Sequence, residues 1–360
     1  MSEKNSGAAF VKAILSLVFL LILGLAAAFF YFQMVLQEPV SHKLSEKIFT
    51  VARGSSLEET LKQMESDGII KNALILRLYI KVSGHSPLVK AGDYKFPSPL
   101  NAREALAVLE AGGIQPRKLT VIEGWTRFEI ADAMVKIPEL KLASRKEALK
   151  LMDNVKLVQD LDTHVSNLEG YLFPDTYFVQ SETTARALVE EMTVRFRQIL
   201  KKVVGRTGNP GRLSVHEAVT CASIIETEAK LQEERPVVAS VIYNRLKLHM
   251  PLAMDSTVVY ASKLAGKWKG NGIIYQSDLD LPSPYNSRKY KGLPPGPVGC
   301  PGESSLAAAL NPVRSNFLYY VRDPARADGA HTFYNNAADF EVGVAKLRRW
   351  EAEQRSKGLR

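Results

Sequence analysis

The sequence predicts an α+β protein with one transmembrane helix near its amino terminus, a small βααβ module, and then a mixed α+β domain that carries a chemically informative Glu on a helix. Three observations predict it. The twenty residues from Ala13 to Phe32, AILSLVFLLILGLAAAFFYF, carry no charge, and at 1.5 Å per residue they make a helix of roughly 30 Å, the thickness of a bilayer core. Strand-like alternation in IFTVAR and KAGDYKF flanks two helical patterns. Finally, Ser56-x-x-Glu59, Asn101-x-x-Glu104, Thr126-x-x-Glu129 and Ser214-x-x-Glu217 are four helix-opening capping boxes, each ahead of an apolar run.

The amino-terminal run is read first because it sets the compartment. Lys4 and Lys12 precede it, and Glu38 is the first charge after it. The positive-inside tendency therefore keeps residues 1–12 as a cytoplasmic tail, spans the cytoplasmic membrane with residues 13–34, and puts the rest on the outer, periplasmic side. Ala26, Ala27 and Ala28 offer the small residues a signal peptidase needs. The run continues through Phe29, Phe30, Tyr31 and Phe32, however, which suits an uncleaved aromatic anchor in contact with membrane lipid.

The formal charge of +9 comes from Lys and Arg spread among Asp and Glu, not from a basic block. That pattern suits a solvated surface or attraction to an anionic polymer or lipid. No zinc-finger spacing or aromatic-basic RNA motif occurs, so nucleic acid is not an expected partner. Cys221 and Cys300 form no CxxC, which excludes a zinc ribbon or thioredoxin-type site. They read as two small buried hydrophobes, or as one disulfide in an oxidising compartment. No metal and no cofactor is expected.

Residues 35–47 read as a polar linker. In residues 48–114 the strand IFTVAR leads into the helix opened by Ser56. The stretch ALILRLYIKVSG is a second helix closed by Gly84, and KAGDYKF is a return strand. This strand–helix–helix–strand order, beginning FTVARGSSLEE, resembles a LysM module, which implies binding to N-acetylglucosamine polymers. A plain α+β spacer fits the same pattern. Residues 117–360 form the second domain. RKLTVIEG is a strand running into the Thr126 helix, residues 183–203 make a long amphipathic helix, and EGYLFPDTYF, broken by Pro174, reads as a loop or strand rim.

The helix opened by Ser214 carries the most chemistry: LSVHEAVTCASIIETEAKLQEE. At 100° per residue, Val215, Val219, Ala222 and Ala229 lie within about 60° of Glu226. Glu226 is thus expected at the edge of an apolar face, where desolvation lets a carboxyl keep its proton near neutrality, as a general acid must. Glu228 lies about 200° away and is expected to face elsewhere. A lone Glu at a helix margin also serves as a surface ion-pair partner.

The segments ASIIETEAK, RPVVASVIYNRL, MDSTVVY, SPYNSRKYKGLPPGPVGCPG, LNP and HTF occur in order, with EGYLFPDTY upstream. Together they closely resemble the YceG-like (MltG) family of endolytic lytic transglycosylases. The resemblance implies cleavage of the β-1,4 bond between N-acetylmuramic acid and N-acetylglucosamine in nascent peptidoglycan strands. It implies 1,6-anhydro ends, termination of glycan elongation, and peptidoglycan synthases as candidate partners. It assigns Glu226, the first Glu of the helix motif, as the catalytic acid/base. Ser256 departs from the family pattern, which carries Pro after the Asp.

A glycan site needs flat rings for sugar faces and amides or carboxylates for hydroxyls. The motifs supply Asn244, Asp255, Tyr285, Asn286 and His331 as candidate substrate-binding residues, with Glu169 from EGYLFPDTY. Each also has a structural reading: Asn244 and Asp255 as helix caps, Tyr285 as core, GLPPG as a stiff turn. Two rivals stay open. A hydrolase would need a second carboxylate, for which Asp255, Glu169 and Asp175 are available. A non-catalytic wall-binding scaffold would use the module and anchor alone. No Ser-x-x-Lys and no HExxH occurs, so penicillin-binding and metalloprotease chemistry are disfavoured.

Overall fold

The computed structural model describes residues 3–42, 48–52, 54–84, 89–209 and 213–356. Two compact units divide the chain, residues 1–117 and 118–360, and both mix helices with short strands.

The first unit begins with α1 (Glu3–Gln37), which starts well before the expected anchor. Its segment Ile14–Gln37 is long and apolar enough to cross a membrane, and residues 14–31 of it are exposed. The expected linker is only partly a linker. Val35 and Leu36 still belong to α1 and are buried in the unit's core, while residues 43–47 lie outside the described residues, as do Met1 and Ser2 of the tail. β1 (Phe49–Val51), α2 (Leu57–Ser66), α3 (Ala73–Ser83) and β2 (Gly92–Tyr94) follow in the expected order, and Arg53 again lies outside the described residues. The two strands pair antiparallel, Phe49 opposite Tyr94 and Val51 opposite Gly92. α2 opens on its capping box, the Ser56 N–H donating to Glu59 Oε2 at 2.7 Å. α3 is capped by Asn72 and stops at Gly84, whose φ of 71° suits a residue without Cβ. α4 (Ala102–Ala111) closes the unit on the Asn101–Glu104 box. Its core joins Leu36, Phe49, Leu61, Met64, Leu76, Tyr94, Phe96 and Leu106.

The second unit starts with β3 (Arg117–Thr120), which pairs with β4 (Thr176–Val179). Between them lie α5 (Arg127–Val135), capped by the Thr126–Glu129 box, and α6 (Arg145–Leu151). The segment before β4 is the expected loop running into a strand, but it lies in the core and not at a rim. Tyr171 and Leu172 are fully buried, because its apolar side chains fill the space over α7 (Ala185–Thr207), with Tyr171 edge-on to Phe196 at 5.0 Å. α8 (Val215–Glu228) opens on the Ser214–Glu217 box. Then come α9 (Arg235–Lys247), α10 (Asp255–Leu264), α11 (Gln276–Leu279), α12 (Glu303–Leu310), the hairpin β5 (Tyr319–Arg322) and β6 (His331–Tyr334), and α13 (Ala337–Ser356).

α8 is the central post of this unit, in contact with α9, α10 and α12. Every residue from Ala218 to Ile225 is buried, so it has no solvent face along its middle. A helix apolar all round belongs in a core, and only its polar carboxy-terminal tip can reach the surface.

Candidate active site

With α8 enclosed on all sides, angles around its axis no longer decide which carboxylate meets solvent. The neighbours at its last turn decide it, and they reverse the expectation for Glu226 and Glu228.

Glu226 is turned inward. Its Oε1 accepts from Arg235 Nη2 at 2.6 Å and its Oε2 from the Gly302 N–H at 2.8 Å. Only 4% of its side chain and 6% of that of Arg235 is exposed. Arg235 also reaches Glu123 at 3.5 Å, so one buried guanidinium serves two carboxylates. A Cβ added at Gly302 would run into the Glu123 carboxylate and push that flexible side chain aside. Burial pushes the Glu226 carboxyl up, against the pull of the Gly302 N–H and Arg235. Both oxygens are nonetheless committed to internal donors, which suits a structural ion pair better than a group that must meet substrate.

Glu228 is turned outward, into a cleft. Two cavities of about 640 and 340 Å³ adjoin it, and Glu228 and Asp255 line both; Glu226 lines neither. The larger is bounded by α9, the Met250–Met254 segment, the β5–β6 hairpin and α13; the smaller by Gly124, Thr126, Tyr260 and Lys263. Glu228 Oε1 accepts from Ser256 Oγ at 3.0 Å and, weakly, from the Ser256 N–H at 3.4 Å. Its Oε2 accepts from Tyr320 Oη at 2.9 Å. Burial raises its pKa, the Tyr320 and Ser256 donors oppose that, and nearby Asp255 adds to the rise. Its position at the carboxy-terminal end of α8 acts in the same direction, because the helix dipole disfavours an anion there. The arrangement is a positioned, protonatable carboxyl at the junction of two cavities, which can act as a general acid toward a bond held across them.

The other candidates separate in the same way. Asp255 and His331 join Glu228 in the larger cavity. Asp255 Oδ1 accepts from Arg288 Nε and Nη2 at 3.2 and 2.5 Å. The His331 ring is fixed by Glu234 Oε2, 2.7 Å from Nδ1, and lies edge-on to Tyr320 at 5.2 Å.

Four candidates do not line either cavity. Asn244 spends its amide on the Ser315 and Phe317 carbonyls, both at 2.9 Å, pinning the segment before β5 to α9. Asn286 is fully buried and holds the Leu279 and Leu281 carbonyls at 2.9 and 3.1 Å. Tyr285 packs on Tyr260 at 4.9 Å against the core. Glu169 is 2% exposed and accepts the first N–H of α5, that of Arg127, at 3.1 and 3.2 Å. Burial pushes the Glu169 carboxyl up to about 7 against that N–H and the Tyr260 hydroxyl. Its carboxyl accepts the free N–H at the start of α5. Cys221 and Cys300 are separate buried thiols with no disulfide between them.

Sequence reasoning missed Ser256, Tyr320, Arg288 and Arg322. The first had a signal, since the family's Pro offers neither an N–H nor a hydroxyl at that place. Tyr320 had none, because only the return of the β5–β6 hairpin brings it to α8.

The match to known proteins takes in every segment that builds this cleft. The YceG-like family matches residues 49–346. An endolytic murein transglycosylase of Streptococcus pneumoniae (serotype 2, strain D39) is 31% identical over 357 residues, covering 92% of this chain; the chain spans 64% of that relative's length. One of Bacillus subtilis (strain 168) is 32% identical over 329 residues, 87% of each chain. A crystal structure of a yceG-like protein from Listeria monocytogenes aligns with a TM-score of 0.54 at 30% identity, covering 82% of this chain and 97% of that one. Matched from β1 into α13 and sharing its fold with a solved relative, the chain belongs to the YceG-like family.

Proposed function

We propose that this chain is a membrane-anchored lytic transglycosylase that cuts within peptidoglycan strands, with Glu228 as its single acid/base. The observation that carries this is the placement of Glu228, held by Ser256 and Tyr320 where two cavities adjoin. A polymer lying through both would present sugars on either side of the scissile bond. The names of the curated relatives, endolytic murein transglycosylases, support the same substrate class.

In this reading Glu228 protonates the leaving oxygen of the β-1,4 bond between N-acetylmuramic acid and N-acetylglucosamine. The resulting carboxylate then takes the proton of the muramic C6 hydroxyl as that oxygen closes on C1. The acid is regenerated, water is not consumed, and the product end is a 1,6-anhydro sugar. An intramolecular nucleophile gains its rate from proximity and spares the protein a second carboxylate. Asp255, Tyr320 and His331 line the strand's path. The βααβ unit would act as a LysM-like glycan holder, and α1 would fix the enzyme to the cytoplasmic membrane with the second unit outside. Cutting there would end elongation of strands leaving a synthase.

One observation favours a second reading: Asp255 shares both cavities with Glu228 and could serve a hydrolase. Mass spectrometry of strands digested by the full-length protein separates them. Fragments lighter by one water and resistant to borohydride are expected. Reducible ends as the main product would move the assignment to the hydrolase.

A further inference from the structure

The larger cavity holds more fixed positive charge than its carboxylates offset. Arg245, Arg288 and Arg322 line it, and only Arg288 has a carboxylate partner, Asp255. Arg245 is held by backbone carbonyls, Nε to Leu318 at 2.6 Å and Nη1 to Leu252 at 2.6 Å, and lies over the Tyr319 ring at 5.1 Å. Arg322 lies over Trp350 at 4.9 Å. Among the described residues neither forms an ion pair with a carboxylate. Burial depresses the Arg245 pKa, so the fold holds this cation in place at a cost. A guanidinium fixed in a cavity wall without a counter-charge is ready to receive an oxyanion, which it can bind through two parallel N–H groups.

We propose that this end of the cavity binds a carboxylate carried by the strand, of the kind found on peptide stems attached to the muramic lactyl group, so that the preferred substrate is a peptide-bearing strand and not bare glycan. The inference rests on the cleft being the glycan site. Its reach is reasonable: Arg322 stands two residues beyond Tyr320 on β5, roughly 7 Å along the strand from the residue that holds the acid. The carboxylates of a stem hang off the sugar at a comparable distance to the side of the scissile bond. Glu228 would then face the bond while the arginines hold the substituent.

The test measures binding of the detergent-solubilised full chain, on ice, to two preparations of the same strands, one intact and one stripped of stems by an amidase. Intact strands should bind at least about tenfold more tightly, a difference of about 1.4 kcal/mol, and the difference should shrink with added salt. Arg322→Gln should cut the ratio severalfold, and Arg322→Lys should restore part of it. Intact strands whose stem carboxylates have been amidated should bind like stripped ones. Equal affinity of the unaltered protein for intact and stripped strands overturns the proposal, and that comparison needs no variant to fold. A preference that survives amidation also overturns it, since the stem would then be read through something other than its charge. Because binding is read apart from products, a chain that prefers intact strands yet yields reducible ends would sink the transglycosylase reading and leave this one standing.

Discussion

Replacing Glu228 by Gln removes one exchangeable proton and little else. The amide oxygen of Gln can still accept from Tyr320 or Ser256, which now hold the carboxylate at 2.9 and 3.0 Å. The fold should therefore survive while general acid/base assistance disappears. Such assistance is worth about 10²–10⁴ in rate, or roughly 3–5 kcal/mol of barrier at 1.36 kcal/mol per decade. Glu226→Gln makes the opposite prediction. It leaves Arg235 buried beside a neutral amide in place of its 2.6 Å carboxylate partner, with only the more distant Glu123 at 3.5 Å still opposite it. The loss of stability should therefore lie toward the lower end of the about 3–5 kcal/mol that breaking a buried pair from one side costs. At about 3 °C per kcal/mol for a unit of this size, the melting temperature should fall by about 10 °C. Activity per folded molecule should stay within an order of magnitude of the parent at temperatures where the variant is folded. The assays are thermal unfolding by circular dichroism and initial rates of fragment release from purified strands. If Glu226→Gln is stable and dead while Glu228→Gln still cleaves, the argument from the cleft is wrong.

Three further predictions follow from the same geometry. Ser256→Ala removes a donor that favours the charged form of Glu228, in a setting shared with Asp255, Tyr320, Arg245 and Arg288. The alkaline limb of the pH–rate profile should move to higher pH, and an unmoved limb would deny Ser256 that role. Burial lifts the Glu169 carboxyl from 4.5 to about 7, so across that window the folded chain keeps a proton the unfolded chain has released. Stability should fall as pH rises from about 4.5 to 7, by up to about 3 kcal/mol, and Glu169→Gln should flatten that slope in denaturant titrations. Protease added to intact spheroplasts should digest the second unit, and full protection of that unit would refute the proposed orientation of α1.

Much of the local structure was legible in the sequence for local reasons. A Ser, Thr or Asn three residues ahead of a Glu satisfies orphan helix N–H groups whatever surrounds it, and Ser56, Asn101, Thr126 and Ser214 each do so. The uncharged run in α1 needed only its length and composition. The motif string that marks the family likewise needed no coordinates. What the sequence could not decide was which polar group faces what. Asn244 and Asn286 looked like ligands for a glycan because amides bind hydroxyls, but Asn244 is used on backbone carbonyls 71 and 73 residues further along the chain and Asn286 on carbonyls seven and five residues before it. The two acids of ETE differ in surroundings for the same reason. A helical wheel ranks positions against one apolar face, and α8 is enclosed by α9, α10 and α12 on every side. Around such a helix the open direction is set by whichever neighbour leaves a gap. Arg235 and the start of α12 close over Glu226, whereas α10 and the β5–β6 hairpin stop short around Glu228. Those contacts join residues 9 to 92 positions apart, so only the packed chain brings them into being.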